Sequence, residues 1–159
     1  MFFLTTIHGT TDQVDTSAKY PLGALFSELA GDGGLKVWRY VFNDEASTAF
    51  AAGHVCVLDT TGVTFDAVLS VAATPTAANQ VIGVAQHAIA AGSYGWVQCY
   101  GYGTVLADTG GLSVNTGMIP GNAVNGAADD ASAVTAADFG TTVAAIAAAA
   151  TGTAFIRCI

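Results

Sequence analysis

The sequence predicts an all-β fold: a compact β-sandwich or barrel-like module with an extended N-terminal arm and few or no helices. Two observations lead there. Short runs of alternating apolar and polar residues recur along the chain, with side chains two apart sharing a face as a strand requires. Turn formers separate these runs at short intervals, as in sandwiches and barrels. Charged residues make up only 10% of the 159 residues, against 52% hydrophobic; soluble domains ordinarily carry roughly 25% charge. The length suits one domain with a real core. Residues 1–20 read as the arm and residues 21–159 as the single β-rich domain.

Residues 1–20 are Thr-rich and end at Lys19-Tyr20-Pro21. Leu22, Leu25, Phe26 and Leu29 follow at helical spacing, so a short helix is expected before Gly31-Asp32-Gly33-Gly34 stops the pattern. Leu35 to Phe42 alternates as a strand, with Trp38, Tyr40 and Phe42 on one face and Leu35, Val37, Arg39 and Val41 on the other. Strands are expected at His54–Leu58 and Val63–Val71, joined as a hairpin through Asp59-Thr60-Thr61-Gly62. In the second strand Phe65, Ala67 and Leu69 should face inward and Asp66 and Ser70 outward. Further strands are expected at Val81–Gln86, Tyr94–Tyr102, Thr104–Leu106 and Leu112–Val114, with a loop over Gly117–Asn125. Alanine propensity alone would make residues 127–150 a helix. Gly140, the Thr and Val content and the lack of a charged face oppose it. The last residues, from Thr153, read as a strand.

Composition excludes whole classes of function. Four Lys and Arg against twelve Asp and Glu give a net charge of −8, so neither nucleic acid nor an anionic membrane finds a basic footprint. No apolar run approaches the ~20 residues that span a bilayer. The Met1-Phe2-Phe3-Leu4 start lacks the basic region of a secretory signal. Weak surface charge in a protein of this kind suggests a surface covered by other protein.

No residue set for catalysis, cofactor binding or metal binding emerges, and the expectation is a protein that is not an enzyme. His8, His54 and His87 lack metal-ligand spacing; His54 and Cys56 share a strand face but have no third ligand. Cys56, Cys99 and Cys158 sit in apolar runs and read first as buried thiols, the alternative being one disulfide with a leftover thiol. The carboxylates Asp32, Asp44, Glu45, Asp59, Asp108, Asp129 and Asp130 fall in turns and read as solvated. Asp129-Asp130 lacks the run of oxygen ligands of a calcium loop. The stripes Trp38-Tyr40-Phe42 and Trp96-Tyr100-Tyr102 read first as core. Their alternative is a subunit interface or a sugar-binding platform.

Several segments together resemble a known family. They are Tyr20-Pro21-Leu22-Gly23, Trp38-Arg39-Tyr40-Val41, Ala51-Ala52-Gly53-His54-Val55 and Val81-Ile82-Gly83-Val84-Ala85. The most specific is Ile89-Ala90-Ala91-Gly92-Ser93-Tyr94-Gly95-Trp96-Val97-Gln98, with Thr104–Asp108, Val114–Gly117 and Gly121–Val124 continuing the pattern. The pattern resembles the capsid cement (decoration) proteins of tailed bacteriophages from about Tyr20 to the end, although a glycine expected near Val143 is missing. The resemblance implies a virion protein on the outer capsid surface, commonly a homotrimer, that braces the lattice of major capsid proteins. It implies no cofactor, nucleic acid or membrane. By the same analogy Val143–Ile146 is a strand, Ala147–Thr151 a turn and Ala154–Ile159 the returning strand. Residues 1–20 would carry capsid or subunit contacts. The competing reading is another virion surface, tail or spike module that binds carbohydrate.

Overall fold

In the computed structural model, residues 10–31, 34–59, 65–70, 80–131 and 138–158 are described. These residues form ten strands and no α-helix, so the all-β expectation holds. They are β1 (Leu25–Leu29), β2 (Leu35–Asn43), β3 (Val55–Leu58), β4 (Asp66–Leu69), β5 (Val81–Ala85), β6 (Tyr94–Leu106), β7 (Met118–Pro120), β8 (Ala128–Asp130), β9 (Gly140–Thr142) and β10 (Thr151–Arg157).

Five strands close a ring. β2 pairs antiparallel with β6 and, at Phe42 and Asn43, parallel with β4. β4 pairs with β3, β3 with β5, and β5 with β6. Inside the ring lie Val41, Cys56, Ala67, Leu69, Ile82, Ala85 and Val97, joined by Phe50 and Ile89 from the loops. Every ring strand thus sends side chains into one sealed cluster, which is what closure requires of a small barrel. The barrel-like alternative of the sequence reading is the architecture observed.

Two further apolar layers cover the outside. Across β3 and β5, Val55, Val57, Val81 and Val84 pack against Val105, Leu112, Met118, Phe139, Ile146 and Ile156 of a second lobe. That lobe is built from β10 on the second half of β6, β9 on β10, and the β7–β8 pair. Across β2 and β6, Trp38, Tyr40 and Trp96 are covered by Tyr20, Leu22, Ala24 and Phe26. The core reading of the stripes holds for Trp38, Tyr40 and Trp96, all at most 5% exposed, whereas Phe42 and Tyr100 are half-buried and Tyr102 is exposed.

Several local expectations change. The helical spacing of Leu22 to Leu29 gives a strand instead. Leu25–Leu29 alternates in burial and pairs in full with Leu35–Arg39, so tertiary pairing overrides a short 3.6-residue pattern. Asp66 and Ser70, expected outward, are buried, because β4 has β2 on one edge and β3 on the other and lies against further chain on both faces. Tyr94–Tyr102 and Thr104–Leu106 are one strand of thirteen residues. Leu112–Val114 contributes only a bridge from Leu112 to Ile146. The strand expected at Val143–Ile146 sits earlier, at Gly140–Thr142, whereas the closing strand appears as β10. The Gly117–Asn125 loop contains β7. Residues 60–62 of the expected turn Asp59–Gly62 lie outside the described residues; β3 and β4 do pair antiparallel, but Leu58 meets Ala67, so the link between them is longer than the four-residue turn expected.

The expected N-terminal arm begins with residues outside the described set, and residues 10–20 lie along the barrel. Asp15 bridges to Tyr94 through two backbone hydrogen bonds. The Tyr40 hydroxyl donates to Asp15 Oδ2 at 2.8 Å and accepts from the Lys19 amide at 3.2 Å. Burial, together with the nearby Asp15 carboxylate, pushes the Tyr40 hydroxyl up to about 12, so it stays a donor at neutral pH. The Tyr20 ring meets Tyr40 edge-on at 5.2 Å and Trp96 at 5.3 Å.

Gly101 marks the change of partner along β6. Its φ is +99°, and a Cβ there would stand 2.4 Å from the carbonyl oxygen of Leu35. Only glycine satisfies both demands. Gly92 is also left-handed, at φ +69°, but a Cβ there meets nothing within 4 Å. Replacing each by alanine separates the two effects. Gly92→Ala should cost about 1 kcal/mol, from the backbone alone. Gly101→Ala should cost about 3 kcal/mol, because overpacking adds to strain. Denaturant melts of the two variants measure the difference.

Candidate interaction surface

The residue types that could carry chemistry are mostly spent on structure. All three cysteines are free, with Cys56 and Cys99 buried and Cys158 half-buried. Burial raises the Cys99 thiol to about 11 and the Cys158 thiol to about 12, and raises Cys56 further. Such thiols stay protonated and unreactive at neutral pH. Among the described residues, no group of three His, Cys, Asp or Glu is placed to hold a metal ion. No helix among them is long and apolar enough to cross a membrane.

Burial pushes the imidazoles of His54 and His87 below their ordinary value. His54 Nδ1 accepts the Ala51 amide at 3.2 Å, which ties a turn to the start of β3. His8 lies outside the described residues.

The turn acids divide into two kinds, and only one matches the solvated expectation. Asp15, Asp66, Asp108 and Asp138 are buried. Asp108 is the clearest correction, at 1% exposure. Its Oδ2 accepts the amides of Asn122 and Ala123, both at 2.8 Å, and its Oδ1 accepts Thr109 at 2.7 Å. One carboxylate thus fixes the Gly-rich loop before β8 onto the end of β6. Asp130 likewise accepts the Ser113 amide with both oxygens. No local pattern around Asp108 announces this role, because the two donors that tie down the loop lie fourteen and fifteen residues away. By contrast Asp44 is exposed, and its carboxyl is raised by a hydrogen bond with Asp59 and by the neighbouring charges of Asp66 and Glu45. Asp44 matches the solvated expectation, whereas its neighbours Glu45 and Asp59 are half-buried and Asp66 is buried.

What the fold leaves open is the hairpin of β1 and β2. Leu25 is 56% exposed, Leu29 79% and Leu35 48%. Leu29 pairs with Leu35, and Leu25 with Arg39, so the three leucines share one face. That face continues the barrel's inner face past its rim, since Arg39 also pairs with Val97. At the rim the Arg39 guanidinium donates to the Ile82 carbonyl at 2.9 Å and lies 5.2 Å over the Phe65 ring. The opposite face of the hairpin is closed: Phe26 and Trp38 join the aromatic layer, and Trp38 Nε1 donates to Glu28 at 2.8 Å. A second open feature is Tyr102, 48% exposed, edge-on to Phe155 at 5.2 Å. With Trp38 and Trp96 buried, no tryptophan of the two stripes faces outward as a sugar platform.

Comparison with known proteins adds one line of information. No protein-family model matches the chain, and no curated protein matches it. Among solved structures, the chain is similar to the N base of the head fiber gp8.5 of bacteriophage phi29, with a TM-score of 0.53 and 15% identity. The likeness covers 77% of this chain and 95% of that one. At this identity it is a likeness of fold.

Two measurements test these assignments. Asp108→Ala removes a buried carboxylate that holds three amides of exposed residues and should destabilise the protein by about 2 kcal/mol, read by chemical denaturation. His54 and His87 bind protons less readily folded than unfolded, so the unfolded chain gains protons first as pH falls. Their contribution is whole above about pH 6.5, the ordinary imidazole value, and is lost as pH falls below it. The melting temperature should therefore drop between neutral pH and about pH 5.5. A His54→Gln/His87→Gln double variant should show a flatter dependence over that range.

Proposed function

We propose that this protein is a structural component of a bacteriophage virion, held on the outer surface of the capsid. There it braces the lattice of major capsid proteins as a cement or decoration protein and works as a homo-oligomer, a trimer by the family resemblance. The observation that carries the reading is the fold shared with the head-fiber base, which spans almost all of that chain. The motif resemblance from Tyr20 onward points independently to capsid-bound proteins. Composition supports the same reading. With 10% charged residues, little charge must be desolvated when the module meets other protein. Many modest contacts repeated around a shell hold by avidity, so no single site needs high affinity.

The test is sedimentation of the purified protein with empty, expanded capsids of a tailed phage in several lattice states. The expected result is saturable co-sedimentation and a raised disruption temperature of the capsid. Free protein left in the supernatant for every lattice state overturns the reading.

A further inference from the structure

We propose that β1 is a self-association edge: it adds, antiparallel and about a two-fold axis at Ser27, to β1 of a second copy of this chain. This goes beyond the capsid reading and does not depend on it.

Among the described residues, β1 pairs with β2 alone, on one edge. The hydrogen bonds Tyr40 N to Ala24 O and Ala30 N to Gly34 O bracket that pairing. In an antiparallel ladder, alternate residues turn their N–H and C=O toward the partner and the others turn them away. The backbone groups of Phe26 and Glu28 therefore face β2, and those of Leu25, Ser27 and Leu29 face outward. The same three residues are exposed. This edge carries none of the usual guards, having no proline, no bulge and no lysine of its own. Its single charge, Glu28, points to the closed face and accepts from Trp38. The outer side of β9, by comparison, is covered by hydrogen bonds with Asn115 and Thr116.

The occupant follows from the pattern of the strand itself. Leu-Phe-Ser-Glu-Leu is nearly symmetric about Ser27. Antiparallel pairing centred there sets Leu25 opposite Leu29 of the second copy, Ser27 opposite Ser27, and Leu29 opposite Leu25. All three are outward-facing positions, so the register gives three hydrogen-bonded pairs, or about six main-chain bonds. It also brings the exposed Leu25, Leu29 and Leu35 of both copies onto one continuous apolar face. Charge is complementary as well. From Leu25 to Arg39 the acids Glu28 and Asp32 are matched by Lys36 and Arg39, so this stretch is neutral in a chain of net charge −8. Lys36 stands opposite Glu28 in register. Two copies can therefore meet at this edge with little of the repulsion their total charge imposes elsewhere.

Mass in solution tests the proposal, by light scattering on a sizing column. The full chain should form a dimer or an even-numbered multiple, such as a pair of trimers. Leu29→Lys places a charge on a side chain that is already mostly exposed. Ser27→Pro removes an outward N–H without touching the pairing to β2. Each should halve the mass of the assembly while leaving the far-ultraviolet dichroism unchanged. A monomer, an odd-numbered assembly, or an even one whose mass Leu29→Lys leaves intact overturns the proposal. Capsid sedimentation of Leu29→Lys reports separately on the virion reading.

Discussion

The antiparallel pairing of β2 with β6 is the contact on which the other layers are assembled. From Phe42–Tyr94 to Val37–Tyr100 it sets two aromatic residues, Tyr40 and Trp96, directly opposite each other with rings 5.0 Å apart. One face of this pair roofs the barrel interior through Val41 and Val97. The other collects β1 and the chain before it, because Tyr20, Leu22 and Phe26 have an apolar surface to cover only where Tyr40 and Trp96 lie side by side. The buried Tyr40 hydroxyl then needs partners in place of water. Asp15 and the Lys19 amide supply them, and the first described turns are thereby fixed to the barrel.

The positions of the main strands were legible in the sequence wherever a strand is long and has distinct faces. β2, β3, β5 and the start of β6 lie within a residue or two of their expected places, because period-two alternation is strong there. The failures have a common physical cause. β1 is only five residues long, and over such a stretch Leu22, Leu25, Phe26 and Leu29 satisfy a helical period as well as a strand's. The alanine-rich segment has side chains too small to mark a face, so the position of β9 is set by its fit to β10 rather than by its own pattern. Gly103 looked like a break between two strands, yet it lies within β6 where Ile156 and Gln98 crowd the backbone.

The open surface was harder to read than the core. The aromatic stripes attracted attention as candidate interaction faces, and burial assigns Trp38, Tyr40 and Trp96 to the interior. The exposed apolar residues of the β1–β2 hairpin are plain leucines, whose exposure depends on which edge of β2 the hairpin occupies and where the barrel rim ends. Neither is encoded locally. Asp108 shows the same limit for polar residues. An aspartate in a turn is ordinary, and two of its three amide partners, those of Asn122 and Ala123, become visible only when the chain between residues 108 and 123 has folded back.

β6 belongs to both lobes, closing the barrel with its first half and carrying β10 on its second. The lobes consequently share a continuous main chain with no linker between them, and Gly101 bends that chain without cutting it. A pull applied to one lobe while the other is anchored is transmitted along the covalent backbone of a single strand. It loads the flanking ladders in shear, where many hydrogen bonds resist together, rather than peeling them one at a time. Two lobes joined in this way resist being drawn apart along the stiffest direction of the fold.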